Sequence, residues 1–175
     1  MPKTRKMLSD WEAPYLVPLI RRIETQSKDT LIVWSTGYAE EVLLPIWEKA
    51  FPEDSRPRAA LQAAGEWRNK LIKLPEAKKQ ILLCHEAARA CDGNPAAQAA
   101  ARAIGQVAST IHVARHCIGL PLYGALAVAY DRLGADAAWQ ELEPAAGEEC
   151  GRMLAALVRI SKVDEPNPAK ISWVC

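Results

Sequence analysis

Residues 95–130 read PAAQAAARAIGQVASTIHVARHCIGLPLYGALAVAY. Two of the chain's three histidines lie here, four positions apart, in a background of alanine. Alanine is the strongest helix former and a poor strand former, so the composition alone predicts helix. Two tracks run along the stretch at three- and four-residue spacing. One is apolar: Ile104, Val107, Ala108, Ile111, Ile118 and Leu122. The other is small or polar: Arg102, Gly105, Ser109, His112, His116, Gly119 and Tyr123. A helix with an apolar track on one face and glycines among polar groups on another invites close neighbours, and those neighbours must satisfy the polar atoms. The stretch is therefore expected inside an all-helical body, with any functional site along its second track.

The rest of the chain agrees. Its 175 residues suit one domain that folds without disulfides or metal. Half the residues are hydrophobic, yet about 30 are alanine and only one is Phe. Helices lined with alanine approach closely, and Leu, Ile and the six tryptophans must supply the bulk. Alternating β-branched runs are scarce, so strands are not expected. The fold class is all-α: a single compact helical bundle of about six to seven helices, without a sheet.

Punctuation places those helices. Pro14 and Pro18 shorten or kink a first helix over 11–26, opened by Ser9 or Asp10. Asp29 or Thr30 opens a second over 31–51, with Trp34, Tyr38, Val42 and Trp47 facing the core and Pro45 threatening a kink. Ser55 and Pro57 open a third to Leu71, with Leu61, Ala64, Trp67 and Leu71 on one face. A fourth follows Pro75 to Cys91, and Asp92-Gly93-Asn94 stops it. Pro95 starts a fifth to Ser109. A sixth spans 113–133, bent at Pro121, and a last spans 136–160, with a break expected at Pro144. The tail from Asp164 is extended, and Trp173 is expected to dock it on the body.

Charge and cysteine content exclude several classes. A net charge of +1 argues against a nucleic-acid binder. The first thirty residues lean basic (Lys3, Arg5, Lys6, Arg21, Arg22, Lys28). The segment 131–149 leans acidic (Asp136, Glu141, Glu143, Glu148, Glu149), a weak sign of an interaction face. No apolar run reaches membrane length, and none follows the basic start, so a cytoplasmic protein is expected. The five cysteines lack zinc-finger spacing and read as reduced thiols, with Cys175 exposed.

Chemical motifs are mostly absent. The sequence holds no dinucleotide or phosphate loop, no nucleophile elbow, no zincin motif and no diiron motif. Cys84 and His85 are neighbours whose side chains point about 100° apart on a helix, so they do not pair. His112 and His116 could share a metal on an unbroken helix, with His85 as a third ligand, but the blander expectation is histidines bonded within the fold. A break near Thr110 would destroy the shared face. Arg58, Arg89 and Arg102 could form an anion pocket, although pairing with carboxylates is expected first. No catalytic residue and no cofactor is assigned. The candidate pocket residues are His85, Arg102, His112, His116 and Tyr123.

Two longer runs carry a resemblance. The first is Trp34-Ser-Thr-Gly-Tyr-Ala-Glu-Glu-Val-Leu-Leu-Pro-Ile-Trp-Glu, followed by the segment from Pro52 to Trp67. The second, stronger one joins His85-Glu-Ala-Ala-Arg-Ala to the run from Ala101 to Gly119 and then Leu122-Tyr123. The second resembles the pattern ARAAGQAVATAHVxxHALGAALYA of the Imm-5-like immunity proteins of bacterial polymorphic toxin systems. The resemblance covers residues 31–134, leaving 1–30 and 135–175 as variable ends of the single domain. Gly37 and Tyr38 depart from the Asp and Cys expected there, and Pro121 replaces a helix former.

The resemblance implies a small cytosolic all-α protein that binds and neutralises a cognate toxin, without catalysis. Occlusion through an aromatic or arginine anchor, steered by the acidic 136–149 segment, is the expected mechanism. The alternatives are a metal- or small-ligand-binding bundle, even an enzyme, using His85, His112 and His116, or a homo-oligomeric structural or ligand-sensing bundle. Nucleic acid and membrane are not expected partners.

Overall fold

Gly93 turns the chain because it takes φ +82°, a left-handed backbone that costs glycine nothing. In the computed structural model, which describes residues 4–174, helices stand on both sides of that turn. Eight α-helical segments follow one another: α1 (Val17–Ile23), α2 (Lys28–Tyr38), α3 (Leu44–Ala50), α4 (Arg56–Arg68), α5 (Leu74–Ala90), α6 (Pro95–Ala108), α7 (Leu126–Leu133) and α8 (Trp139–Ile160). No strand occurs among the described residues, only an isolated antiparallel bridge between Ser27 and Pro168. The protein is all-α, as its composition requires.

Helix α6 is the hub. Asn94 Oδ1 accepts from the Ala97 N–H at 3.0 Å, and Pro95 occupies the first turn, where a missing N–H costs nothing. Ala97, Ala100, Ala101, Ala103, Ile104, Val107 and Ala108 are all fully buried. The helix packs against α3, α4, α5 and α7. Such crowding around one rod is possible because half of its side chains are methyl groups. Trp34 and Trp47 supply bulk farther out. Their indole N–H groups donate to the carbonyls of Met153 (2.9 Å) and Asp54 (2.8 Å), so neither is left unsatisfied in the core.

Prolines shape the rods differently from expectation. Pro18 does not interrupt a helix over 11–26. It lies in the first turn of the short α1, and residues 11–16 form turns. Pro45 does not end its helix either. A π turn over Ala39–Leu43 precedes it, and α2, the π turn and α3 run on as one rod. The wider turn displaces the carbonyl that the proline ring would strike. A second π segment, Leu120–Ala125, carries Pro121 in the same way and feeds α7. Pro144 lies inside α8 without ending it.

Other local expectations also shift. Ser27, not Asp29 or Thr30, caps α2, its hydroxyl accepting from the Thr30 N–H at 3.2 Å. Ser55 stands at the cap position of α4 but makes no capping bond; Asp54 Oδ1 takes the Arg56 N–H instead, at 3.1 Å. Leu71 is 72 % exposed and belongs to no core face, because α4 ends at Arg68 before reaching it. The tail does dock: Trp173 Nε1 donates to Glu24 at 2.7 Å and its ring lies 5.8 Å from that of Trp11. Cys84, Cys91, Cys117 and Cys150 are free and buried, whereas Cys175 lies outside the described residues.

Candidate functional site

The chain leaves α6 through a short 3₁₀ turn (Ser109–Ile111) and breaks at Val113, whose backbone is extended (φ −135°, ψ 120°). A second 3₁₀ segment, Ala114–Ile118, then leads into the π segment. His112 and His116 therefore do not share the face of one helix, and the two continuous tracks do not exist beyond Ile111. His112 is exposed, whereas His116 is half-buried. Among the described residues, no three His, Cys, Asp or Glu side chains gather into a group able to hold a metal ion.

The break has a second consequence. On an unbroken helix Arg102 and Tyr123 would lie about 30 Å apart. Because the chain reverses, the π segment packs back on α6 and both residues line one cleft of about 180 Å³. His85, Ala88 and Arg89 from α5 and Gln106 from α6 complete its lining. Three of the five pocket candidates thus converge here. His116 stands one bond away, its Nδ1–H donating to Gln106 Oε1 at 2.8 Å, and His112 takes no part in the lining.

Glycines set the walls of this cleft. A Cβ on Gly105 would come within 2.6 Å of His85 Cε1, so the absent side chain is what lets the imidazole lie against α6. A Cβ on Gly119 would collide with the Cβ of Gln106. The small-residue track reported a true feature, close approach, although its helix does not continue.

The electrostatics of the cleft are one-sided. Arg58 pairs with Glu48 at 2.8 Å as expected, but Arg89 and Arg102 do not. Among the described residues no carboxylate lies within ion-pair distance of either. No Asp or Glu lines the cleft. Burial, reinforced by the charge of Arg89, pushes the His85 pKa below its usual 6.5, so the ring is neutral at pH 7. Burial lowers His116 too, with Arg115, His112 and His85 adding to the effect. Cys84, beside His85 in sequence, faces α6 instead: its thiol donates to the Ala101 carbonyl at 3.4 Å, and burial pushes its pKa up to about 12. That thiol is no nucleophile at neutral pH.

A larger groove, of about 770 Å³, was not visible in the sequence. It runs between the α2–α3 rod, α7 and α8. Val33, Val42, Ile46 and Ile160 give it an apolar lining, and Arg132, Arg152 and Arg159 stand along it beside Glu41 and Asp131. Glu149 lies at its base, 2 % exposed, accepting hydrogen bonds from the Tyr38 hydroxyl and from Arg152 (2.9 Å). Burial, then the bond and charge of Glu149, drive the Tyr38 pKa far up, so the phenol keeps its proton. In the acidic segment Asp136, Glu141 and Glu148 are exposed as expected, and Glu149 is the exception. Glu149 is internal, Glu143 accepts from Tyr15 at 3.1 Å, and Glu141 bonds the Ala138 N–H at the start of α8. Signals for the groove existed in the sequence only as scattered residues, 33–46 and 128–160, which nothing local connects.

Fold and surface together define an all-helical protein with an apolar, arginine-edged groove and a separate cationic cleft. The family model described as Imm-5 like putative immunity protein matches residues 21–154, and the chain belongs to that family. The match extends beyond the 31–134 span that carries the resemblance, reaching α1 and most of α8. No curated protein and no solved structure matches the chain.

Proposed function

We propose that this chain is a non-enzymatic immunity protein of a bacterial toxin system, which binds a cognate toxin in the cytoplasm and neutralises it by occlusion. The observation that carries the reading is the family match over residues 21–154. No helix among the described residues is long and apolar enough to cross a membrane, which is compatible with action in solution. The toxin is assigned to the groove between α2–α3, α7 and α8. Exposed Val33 (40 %) and Ile160 (40 %) offer apolar contact, and Arg159 has no carboxylate within ion-pair distance among the described residues. Arginines beside desolvated apolar surface are typical anchors of tight interfaces. The complementary occupant is an apolar projection of the toxin with a carboxylate set for Arg159, since Arg132 and Arg152 already pair with Glu148 and Glu149. Attraction between opposite charges would speed encounter.

The test is co-expression with the toxin encoded beside this chain, together with a binding measurement on the purified pair. Rescue of growth and a stable complex are expected. Val33→Asp and Arg159→Glu, at exposed positions, should each weaken binding at least tenfold while leaving the helical circular dichroism unchanged. Absence of both rescue and complex would overturn the toxin reading. A complex that ignores both substitutions would move the interface off the groove.

A further inference from the structure

The small cleft between α5, α6 and the π segment shares no lining residue with the groove, and its chemistry points elsewhere. Its polar lining comes from three elements: His85 and Arg89 on α5, Arg102 and Gln106 on α6, and Tyr123 on the π segment. Among the described residues, the imidazole, both guanidinium groups and the phenol have no hydrogen bond to protein, and Gln106 Oε1 is taken by His116. Four side chains with donor capacity therefore surround one small space without partners of their own. The two guanidinium groups carry fixed positive charge, and no acidic side chain in the lining offsets it. Of the groups nearby, Arg115 and the His112 and His116 imidazoles add no negative charge, and Asp136, in the adjoining cleft that Arg102 also borders, forms no ion pair with it.

We infer that this cleft binds a single oxyanion group, carboxylate or phosphate, held between Arg89 and Arg102 with Tyr123 and His85 donating to its oxygens. Arginine suits such a ligand because its planar fork matches the oxygen spacing of carboxylate and phosphate. A space of about 180 Å³ holds one such group and little more. Gly105 and Gly119 have a purpose in this account, since they place His85 and Gln106 at the wall. The neutral His85 keeps one ring N–H as a donor, whichever tautomer is present. Arg102 also borders a second cleft of about 420 Å³ lined by Arg5, Lys6 and Asp136, so the oxyanion can carry a larger body in that direction.

Inorganic phosphate is the probe. Titration of the whole, isotope-labelled chain should shift the His85 ring resonances along a saturating curve, with the Arg102 and Arg89 side-chain signals following the same constant. Arg102→Gln and Arg89→Gln should each weaken phosphate at least tenfold. Tyr123→Phe keeps the shape, removes only the hydroxyl, and should weaken it by a few-fold. Arg115→Gln, a cation outside the lining, should leave binding unchanged. Shifts that never saturate, or an equal loss from Arg115→Gln and Arg102→Gln, would overturn the site and leave only a general positive field. Saturating phosphate added to the toxin complex then separates two sources of the oxyanion. Weakened toxin binding assigns it to an acidic side chain of the partner, and unchanged binding assigns it to a free small molecule. The phosphate titration itself is independent of whether the toxin reading holds.

Discussion

Gly105 and Gly119 both lack a side chain where one would touch a neighbour, but the neighbours differ. Gly105 faces the ring of His85, the outer end of a side chain that can swing aside. Gly119 faces the Cβ of Gln106, which moves only if the α6 backbone moves. Substitution by alanine should separate the two. Gly105→Ala gains about 1 kcal/mol of helix propensity, which offsets most of the crowding, so stability should change by less than about 1 kcal/mol while the His85 resonances move. Gly119→Ala should destabilise by about 1–3 kcal/mol. Urea denaturation of both variants checks this, and equal losses would refute the distinction. At the same scale, Tyr38 replaces the cysteine its relatives' pattern led us to expect and holds the buried Glu149, so a departure from the family pattern has a local reason.

At the scale of the element, the helices absorb their prolines in three ways. Pro18 and Pro95 open helices, and Pro45 and Pro121 accompany π segments. Pro144 alone sits exposed in a helix interior, leaving the Gln140 carbonyl without its usual donor. Pro144→Ala restores that donor, so it should stabilise the protein. Propensity favours alanine by up to about 3 kcal/mol, and the freer unfolded chain returns about 0.4–1 kcal/mol, so a net gain of about 1–2 kcal/mol is expected. A denaturation midpoint that falls would show that the proline fits a bend the helix needs. The break at Val113 is the opposite case. Ser109, Thr110, Ile111, His112 and Val113 are weak helix formers, so local propensity permits the stop, and the reversal lets the next segment pack on α6.

Across the whole molecule, one carboxylate of the tail gathers three hydrogen bonds at the start of α2, beside the Gln26–Lys162 and Trp173–Glu24 bonds. Glu165 accepts from the Ser27 N–H (2.9 Å), the Ser27 hydroxyl (2.8 Å) and the Thr30 hydroxyl (2.7 Å). Burial alone would raise its pKa, but these hydrogen bonds and the charge of Lys162 outweigh that and hold it below the usual 4.5. A carboxyl group with a depressed folded-state pKa stabilises fully above the unfolded value. It loses that contribution as pH falls through the folded value. Acidification below about 4.5 should therefore loosen the tail before the core unfolds. Tryptophan fluorescence should report it, since Trp173 then leaves Trp11. Glu165→Gln should remove the acid step, and an unchanged step would place the tail's anchor elsewhere.

His85, Arg102 and Tyr123 stood among the candidates, but only the reversal at Val113 brings them to one cleft. Helix content, the hub at 95–108, the stop at 92–94 and the docked tail were legible without coordinates. These depend on propensity, capping and composition, which act over a few residues. The shared histidine face, the pairing of Arg89 and Arg102, the core place of Leu71 and the exposure of Glu149 were not. Leu71 drops out because α4 ends at Arg68, and the others depend on which segments meet in the folded chain: a helix boundary at 109–113 was readable, but not the direction the chain takes after Val113. The groove is the extreme case, because its walls come from residues more than a hundred positions apart in the chain. Local sequence determines the rods, and long-range packing of alanine surfaces decides which polar side chains those rods bring face to face.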